Sequence, residues 1–131
     1  MAGKLVYTGK NRLGNIVLGN QNVDDILYLG LYKNTTEPSF TAVLTDIIVV
    51  SGTSYSPKEL NRGDWVGVNN VFTYARQTFS PSGENWGNVT GYYIATTNNL
   101  TGTLLWVEQF TPPEPMLDSA ILTIDPIISV V

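Results

Sequence analysis

The side chains of this chain that could do chemistry are carboxylates and hydroxyls, because its 131 residues include no histidine and no cysteine. Those two residue types supply most general bases, nucleophiles and zinc ligands in proteins. A serine nucleophile would need lysine as its base, and Ser56-Pro57-Lys58 does not have the S-x-x-K spacing of such sites. The sequence therefore predicts no catalytic, cofactor-binding or metal-binding residue, and we expect no enzyme.

The carboxylates allow two alternatives to that expectation. Asp24 and Asp25 with Asp46 or Asp64 could bind calcium, but the spacing of a calcium-binding loop is absent. A glycosidase would need two carboxylates about 5 to 9 Å apart, a distance that a sequence does not give. The acids that could supply such a pair are Glu84, Glu108 and Asp118. Isolated carboxylates beside turns are usually solvated, so we expect neither site.

Five aromatic residues offer a further alternative, a platform on which sugar rings could stack. They are Trp65, Trp86, Tyr92, Tyr93 and Trp106. Tyr92 and Tyr93 would point to opposite faces of one strand, and Trp106 lies in an apolar run. We therefore expect at least half of these rings to lie in the core.

Charge and hydropathy argue against nucleic acid and membrane as partners. The formal net charge is -4, and the seven basic residues are spread thinly along the chain. Phosphate-binding surfaces need clustered lysine and arginine, so we expect no nucleic-acid partner. No apolar run is long enough for a signal peptide or a membrane span, so we also expect no membrane partner and a soluble protein.

Turn-forming residues divide the chain into short segments. Residues 26–32 predict a central strand buried on both faces. Asn69-Asn70 predicts the turn of a hairpin within residues 64–79, because asparagine tolerates the positive φ that two-residue turns need. Further strands are predicted over residues 40–50, 86–95, 104–110 and 121–131, the last broken by Pro126.

The prolines separate these strands from less regular segments. Pro57 makes residues 55–61 an edge strand or an irregular crossing, and residues 111–115 are predicted to be a loop. About eight strands result, with no sustained helical periodicity. The sequence therefore predicts an all-β fold, an antiparallel β-sandwich of the jelly-roll type.

The first residues differ from the rest in pattern. Residues 1–24 are apolar enough to need a partner but are interrupted by glycine, so we expect an extended N-terminal arm before a β-sandwich domain at 25–131. The alternative is a local hairpin on the same domain. The predicted partner contacts of the arm are Leu5, Val6, Tyr7, Leu13, Ile16, Val17 and Leu18.

Four segments in order carry a resemblance to a known group of proteins. They are LYLGLYKN at 27–34, ARQTF at 75–79, WGNVTGYY at 86–93 and LLWVEQF at 104–110. Together they resemble small jelly-roll virion structural proteins of tailed bacteriophages, which are capsid cement, decoration or appendage subunits. The resemblance covers about residues 25–131 and transfers no functional residue.

The resemblance implies a function in the virion. It implies a cement protein that binds the outer shell as a homotrimer, with the major capsid protein or a neighbouring virion protein as its partner. Such a subunit would be assembled in the host cytoplasm and then lie on the capsid surface or the tail. The alternative that it leaves open is a tail or fibre appendage domain for attachment, with a glycan as its ligand.

Overall fold

Antiparallel strands dominate the computed structural model, which describes residues 3–19 and 22–130. The fold is the predicted all-β sandwich of packed antiparallel sheets. Its strands are β1 Lys4–Leu5, β2 Ile26–Tyr32, β3 Lys58–Asn61, β4 Val66–Val68, β5 Val71–Thr73, β6 Gln77–Phe79, β7 Gly87–Ala95, β8 Leu104–Met116, β9 Leu122–Ile124 and β10 Ile127–Ser129. The helices are α1 Tyr7–Val17 and a 3₁₀ turn at Leu44–Asp46.

A five-stranded sheet in the order β1-β8-β7-β2-β3 forms the centre of the molecule. The predicted central strand β2 is confirmed, because it lies between β7 and β3. The edge position predicted for residues 55–61 is confirmed by β3. β7 and β8 pair along most of their length and form the longest strand pair of the sheet.

Both faces of this sheet are covered. On one face Leu29, Leu31 and Ile94 belong to the larger core, which also contains residues of β6, β9 and β10. On the other face Tyr32 and Tyr93 pack with residues of the segment that follows β2. Strands buried on both faces read as continuous apolar runs, which explains the LYLGLY pattern.

The predicted hairpin is confirmed as β4 and β5. Asn69 and Asn70 form its turn with φ of 52° and 67°, and Val68 faces Val71 in the register. β5 also pairs with β10, which gives a three-stranded sheet in the order β10-β5-β4. β6 and β9 form a separate two-stranded sheet. The predicted break at Pro126 is confirmed, because it lies between β9 and β10.

Two segment predictions are wrong. Residues 40–50 form a 3₁₀ turn and a single bridge between Tyr32 and Val49 instead of a strand. The cause is local, since the Asp46 carboxylate accepts a hydrogen bond from the Val43 N–H at 3.0 Å. Residues 111–115 are not a loop but the second half of β8. Proline suits extended backbone, and at a sheet edge its missing N–H costs no ladder bond.

The structure also corrects the extended N-terminal arm. Within the described part of residues 1–24, β1 pairs with β8 of the same domain, and α1 packs on β8. Gly9 permits this packing, because a Cβ there would lie 2.6 Å from the Leu105 carbonyl oxygen. Residues 4–17 are therefore a strand and a helix on the domain itself, neither an arm nor a hairpin. Residues 1, 2, 20, 21 and 131 of the predicted arm and domain lie outside the described residues.

Candidate functional site

The acids proposed as calcium ligands are used in separate ion pairs and turns. Asp24 binds Arg12 through two hydrogen bonds, of 2.6 and 3.1 Å. Asp25 lies 3.2 Å from Arg62. Across residues 3–19 and 22–130, no group of three or more acidic side chains could hold a metal ion. The structure does not bring these four acids together as one group among the described residues.

Glu84 ties two loops together in what we call the Glu84 junction, residues 53–54 and 83–86 with Asp118. Its carboxylate accepts hydrogen bonds from the N–H groups of Thr53 and Ser54 at 3.2 and 2.7 Å, and from the Ser54 hydroxyl. The indole N–H of Trp86 also donates to it, at 3.2 Å. These donors, the Ser54 hydroxyl first, lower the pKa of Glu84 to about 2. A carboxylate held so firmly ionised is unsuited to act as a general acid.

The other two candidate acids also have structural partners. Asp118 accepts the Gly83 N–H at 2.8 Å. Glu108 accepts the Tyr92 hydroxyl at 3.1 Å, and burial raises the pKa of its carboxyl group. Glu84 and Asp118 lie in the same junction, where each carboxylate accepts hydrogen bonds from loop N–H groups, whereas Glu108 shares no hydrogen-bond partner with either among the described residues.

Four of the five aromatic residues considered for a sugar platform are buried. Trp86, Tyr92, Tyr93 and Trp106 are each no more than 3% exposed. Trp65 is partly exposed and packs edge-on against Tyr74, with ring centroids 5.2 Å apart. The expectation that at least half of these rings are core is confirmed, and the platform itself is not formed.

An apolar groove of about 350 Å³ lies on the surface beside α1. It lies where α1 meets β10, β5 and the start of β2. Every side chain that lines it is aliphatic or aromatic. We call it the apolar groove, and its lining is Leu5, Leu13, Val17, Leu27, Trp65, Phe72, Leu105, Ile128 and Val130.

The groove has a buried floor and an exposed rim. Leu5 and Leu105 are only 4% and 3% exposed and belong to the larger core. Val17 is 81% exposed, and the adjacent Leu18 at the end of α1 is 77% exposed. Leu18 and Val17 also line a neighbouring cavity along α1, so the apolar surface continues past the groove. The floor stabilises the domain, whereas the rim is left in contact with water.

The hairpin beside the groove divides its side chains between two faces. Phe72 lines the groove and lies against Gly67, where a Cβ would be 2.5 Å from the ring. Side chains alternate along a strand, so Val66 and Val68 point to the other face. They are 62% and 63% exposed.

The structure separates the residues predicted as partner contacts. Leu5, Leu13 and Val17 line the apolar groove, and Leu18 lies beside it. Ile16 lines an adjoining cavity. Val6 is fully buried in the second core, and Tyr7 stacks on Phe40.

The predicted partner contacts include only three of the nine residues that line the groove. Trp65, Phe72, Ile128 and Val130 are distant in sequence from α1. The pairing of β5 with β10 places Phe72 beside Ile128. Each of these residues lies in a short strand or beside one, and a three-residue strand is too short to show a clear alternation of apolar and polar residues.

The chain matches no protein-family model and no curated protein. Among the described residues, no helix is long and apolar enough to cross a bilayer.

Proposed function

We propose that this protein is a virion structural subunit of a tailed bacteriophage, a capsid cement or decoration protein. In this proposal it has a jelly-roll sandwich, forms a homotrimer and binds the major capsid protein or a neighbouring virion protein. The observation that carries the proposal is the apolar groove with its exposed aliphatic rim. The sequence resemblance over residues 25–131 supplies the virion context.

The groove supports an assembly function because its apolar surface is unfavourable in contact with water. Val17 and Leu18 are more than three-quarters exposed on one helix end, next to a groove with no charged side chain in its lining. Contiguous exposed apolar surface marks protein contact sites, and fully buried interface centres are depleted in charge. Covering this rim with a protein partner releases water from both surfaces, which favours association.

Repetition of the contact makes a modest interface sufficient. A subunit that docks through a small apolar groove binds weakly when alone. Several copies joined in one oligomer bind the shell together, because each further contact forms at high effective concentration. The proposal therefore requires self-association as well as the groove.

Sedimentation with shells assembled from the major capsid protein of the same virus tests the proposal. We expect saturable binding of the wild-type chain and a trimer in light scattering. Val17→Ser with Leu18→Ser should weaken shell binding more than about tenfold, because burial of each aliphatic side chain contributes on the order of 1.5–3 kcal/mol.

The matched control is Leu117→Ser with Ile121→Ser, a second pair of aliphatic side chains, 57% and 73% exposed, outside the groove. This control should bind like the wild type. Absence of shell binding by the wild type would contradict the cement function, and glycan-array binding in its place would favour the appendage function. Equal binding by the groove variant would contradict the groove as the contact site.

A further inference from the structure

A second cleft, smaller and charged, lies at the edge of the central sheet next to β1. Its volume is about 140 Å³. Lys4 of β1 and Lys10 of α1 line it together with Phe40 and Trp106. Gly3, Leu5 and Ser129 complete the lining. We call it the lysine cleft. It shares Leu5 with the apolar groove but has a different chemistry.

Aromatic rings hold the two lysines at this place. The Lys4 Nζ lies 5.1 Å from the centre of the Phe40 ring, and the Lys10 Nζ lies 6.0 Å from the same centre. Tyr7 stacks on Phe40 with ring centroids 6.1 Å apart and lies 5.8 Å from the Lys10 Nζ. Cation–π attraction at such distances offsets part of the repulsion between the two ammonium groups.

The charge of the cleft is opposite to that of the whole chain. One acid, Glu37, forms an ion pair here, with its Oε1 3.7 Å from the Lys4 Nζ. Lys4 and Lys10 with the paired Glu37 leave one positive charge, whereas the chain carries -4. Glu108 also lies near Gly3 of the lining, and burial raises the pKa of its carboxyl group, which favours its neutral form. A singly charged anion would neutralise the cleft. A doubly charged phosphate would leave it negative, so charge complementarity favours a carboxylate.

Unused hydrogen-bond donors give a second, independent observation. The Lys4 side chain is only 19% exposed, yet its distance to Glu37 is too long for a hydrogen bond. Trp106 is 2% exposed, and its Nε1, although the Tyr92 hydroxyl lies near it, makes no hydrogen bond of normal geometry within the part of the chain that the structure describes. Buried donors without acceptors are unfavourable, and an added acceptor relieves that cost.

We propose that the lysine cleft binds the carboxylate of an acidic side chain on a protein partner. The two ammonium groups supply charge-assisted hydrogen bonds to the carboxylate oxygens, and the indole N–H of Trp106 supplies a neutral one. Phe40 and Tyr7 position the lysine stems. The proposal is independent of the virion function, because it depends only on the cleft.

Nuclear magnetic resonance of the full chain tests the proposal directly. The three tryptophans give three indole N–H signals, of which that of Trp106 is assigned by standard methods. Sodium acetate is titrated at constant ionic strength against sodium chloride. A blocked Asp-Glu dipeptide and its Asn-Gln analogue are titrated in parallel. We expect acetate and the acidic dipeptide to shift the Trp106 signal, and the amide analogue to leave it in place.

Variants of the lysines connect the shift to the cleft. Lys4→Gln with Lys10→Gln should weaken acidic-dipeptide binding by more than about tenfold, since two charge-assisted bonds are lost. Lys10→Gln alone, at an exposed helix position, should weaken it by roughly threefold or more without risk to the fold. Lys58→Gln is the matched control, because Lys58 also lies over an aromatic ring, 5.2 Å from the centre of Phe79, outside the cleft.

Three results would overturn the proposal. The first is no movement of the Trp106 signal with either carboxylate. The second is an equal shift in the two-lysine variant and the wild type. The third is tighter binding of inorganic phosphate than of the acidic dipeptide at the same ionic strength, which would identify a phosphate site instead.

Discussion

The Glu84 junction and the apolar groove differ in whether contacts within the chain satisfy their side chains. In the junction, donors from residues 53, 54 and 86 already occupy the Glu84 carboxylate, so this polar surface is satisfied within the chain. In the groove, the rim residue Val17 is 81% exposed, and nothing in the described chain covers it. A carboxylate whose hydrogen bonds are made within the chain has few free acceptor sites for a partner. Exposed aliphatic surface lowers the free energy only when another molecule covers it.

The largest effect should come from the floor of the groove. Leu105→Ala removes a buried side chain shared by the groove and the core, and should lower the free energy of unfolding by about 2–5 kcal/mol. Urea unfolding measures this. Val17→Ser on the rim should change it by no more than about 0.5 kcal/mol. Equal losses for the two variants would show that the rim stabilises the domain as much as the floor does.

Acid should weaken the Glu84 junction. The folded-state pKa of Glu84 is lowered to about 2, so its contribution to stability is complete above its ordinary pKa and is lost as the pH falls towards 2. Glu84→Gln should lower the urea midpoint clearly at neutral pH, and the difference from the wild type should disappear as the pH falls below about 2.

Glu114→Gln is the control for the junction, because Glu114 is an exposed carboxylate on β8. It should leave the acid profile of the wild type intact. A profile that is the same in Glu84→Gln and in the wild type would show that the junction does not depend on the charge.

Glu108 contrasts with Glu84, because the fold disfavours the ionised form of its carboxyl group. Burial raises its pKa, and the Tyr92 hydroxyl only partly opposes the effect. A raised folded-state pKa favours folding at low pH, and that contribution is lost as the pH rises through the folded-state pKa. Glu108→Gln keeps an acceptor for Tyr92, so its stability at pH 7 should equal or slightly exceed that of the wild type. A large loss in thermal unfolding at pH 7 would contradict this account.

The smallest effect on folding should come from the outer face of the hairpin. Val66→Ser with Val68→Ser replaces side chains that are 62% and 63% exposed. Each should change the free energy of unfolding by about 0.5 kcal/mol or less. A much larger loss in urea unfolding would show that these valines stabilise the monomer and are not free surface.

Local patterns predicted the elements whose causes are local. The continuous apolar run of β2 and the Asn69-Asn70 turn specify their structure within a few residues, and both were predicted. The helix α1 was missed, because Gly9 and Gly14 lower helix propensity. Gly9 is required by a distant partner, the Leu105 carbonyl, and a sequence does not show that contact.

The groove was predictable only on one side. The sequence placed Leu13 and Val17 in a segment that needs a partner, and both line the groove. The opposite wall depends on register, since Phe72 faces Ile128 across β5 and β10. A register between two three-residue strands is set by the whole fold and not by either strand alone.

The second half of β8 has a consequence for crowding. β1 pairs with β8 only at Val107 and Trp106, so over residues 111–116 one side of β8 is left without a strand from the described chain. Three of those six residues, Pro112, Pro113 and Pro115, have no N–H. Only alternate residues direct an N–H towards the open side, so these prolines reduce the number of donors there, and an edge with few donors is a poor template for a neighbouring strand. Concentrated copies of this chain should therefore resist fibre formation along β8, and thioflavin fluorescence of Pro112→Thr with Pro113→Thr would reveal the lost protection.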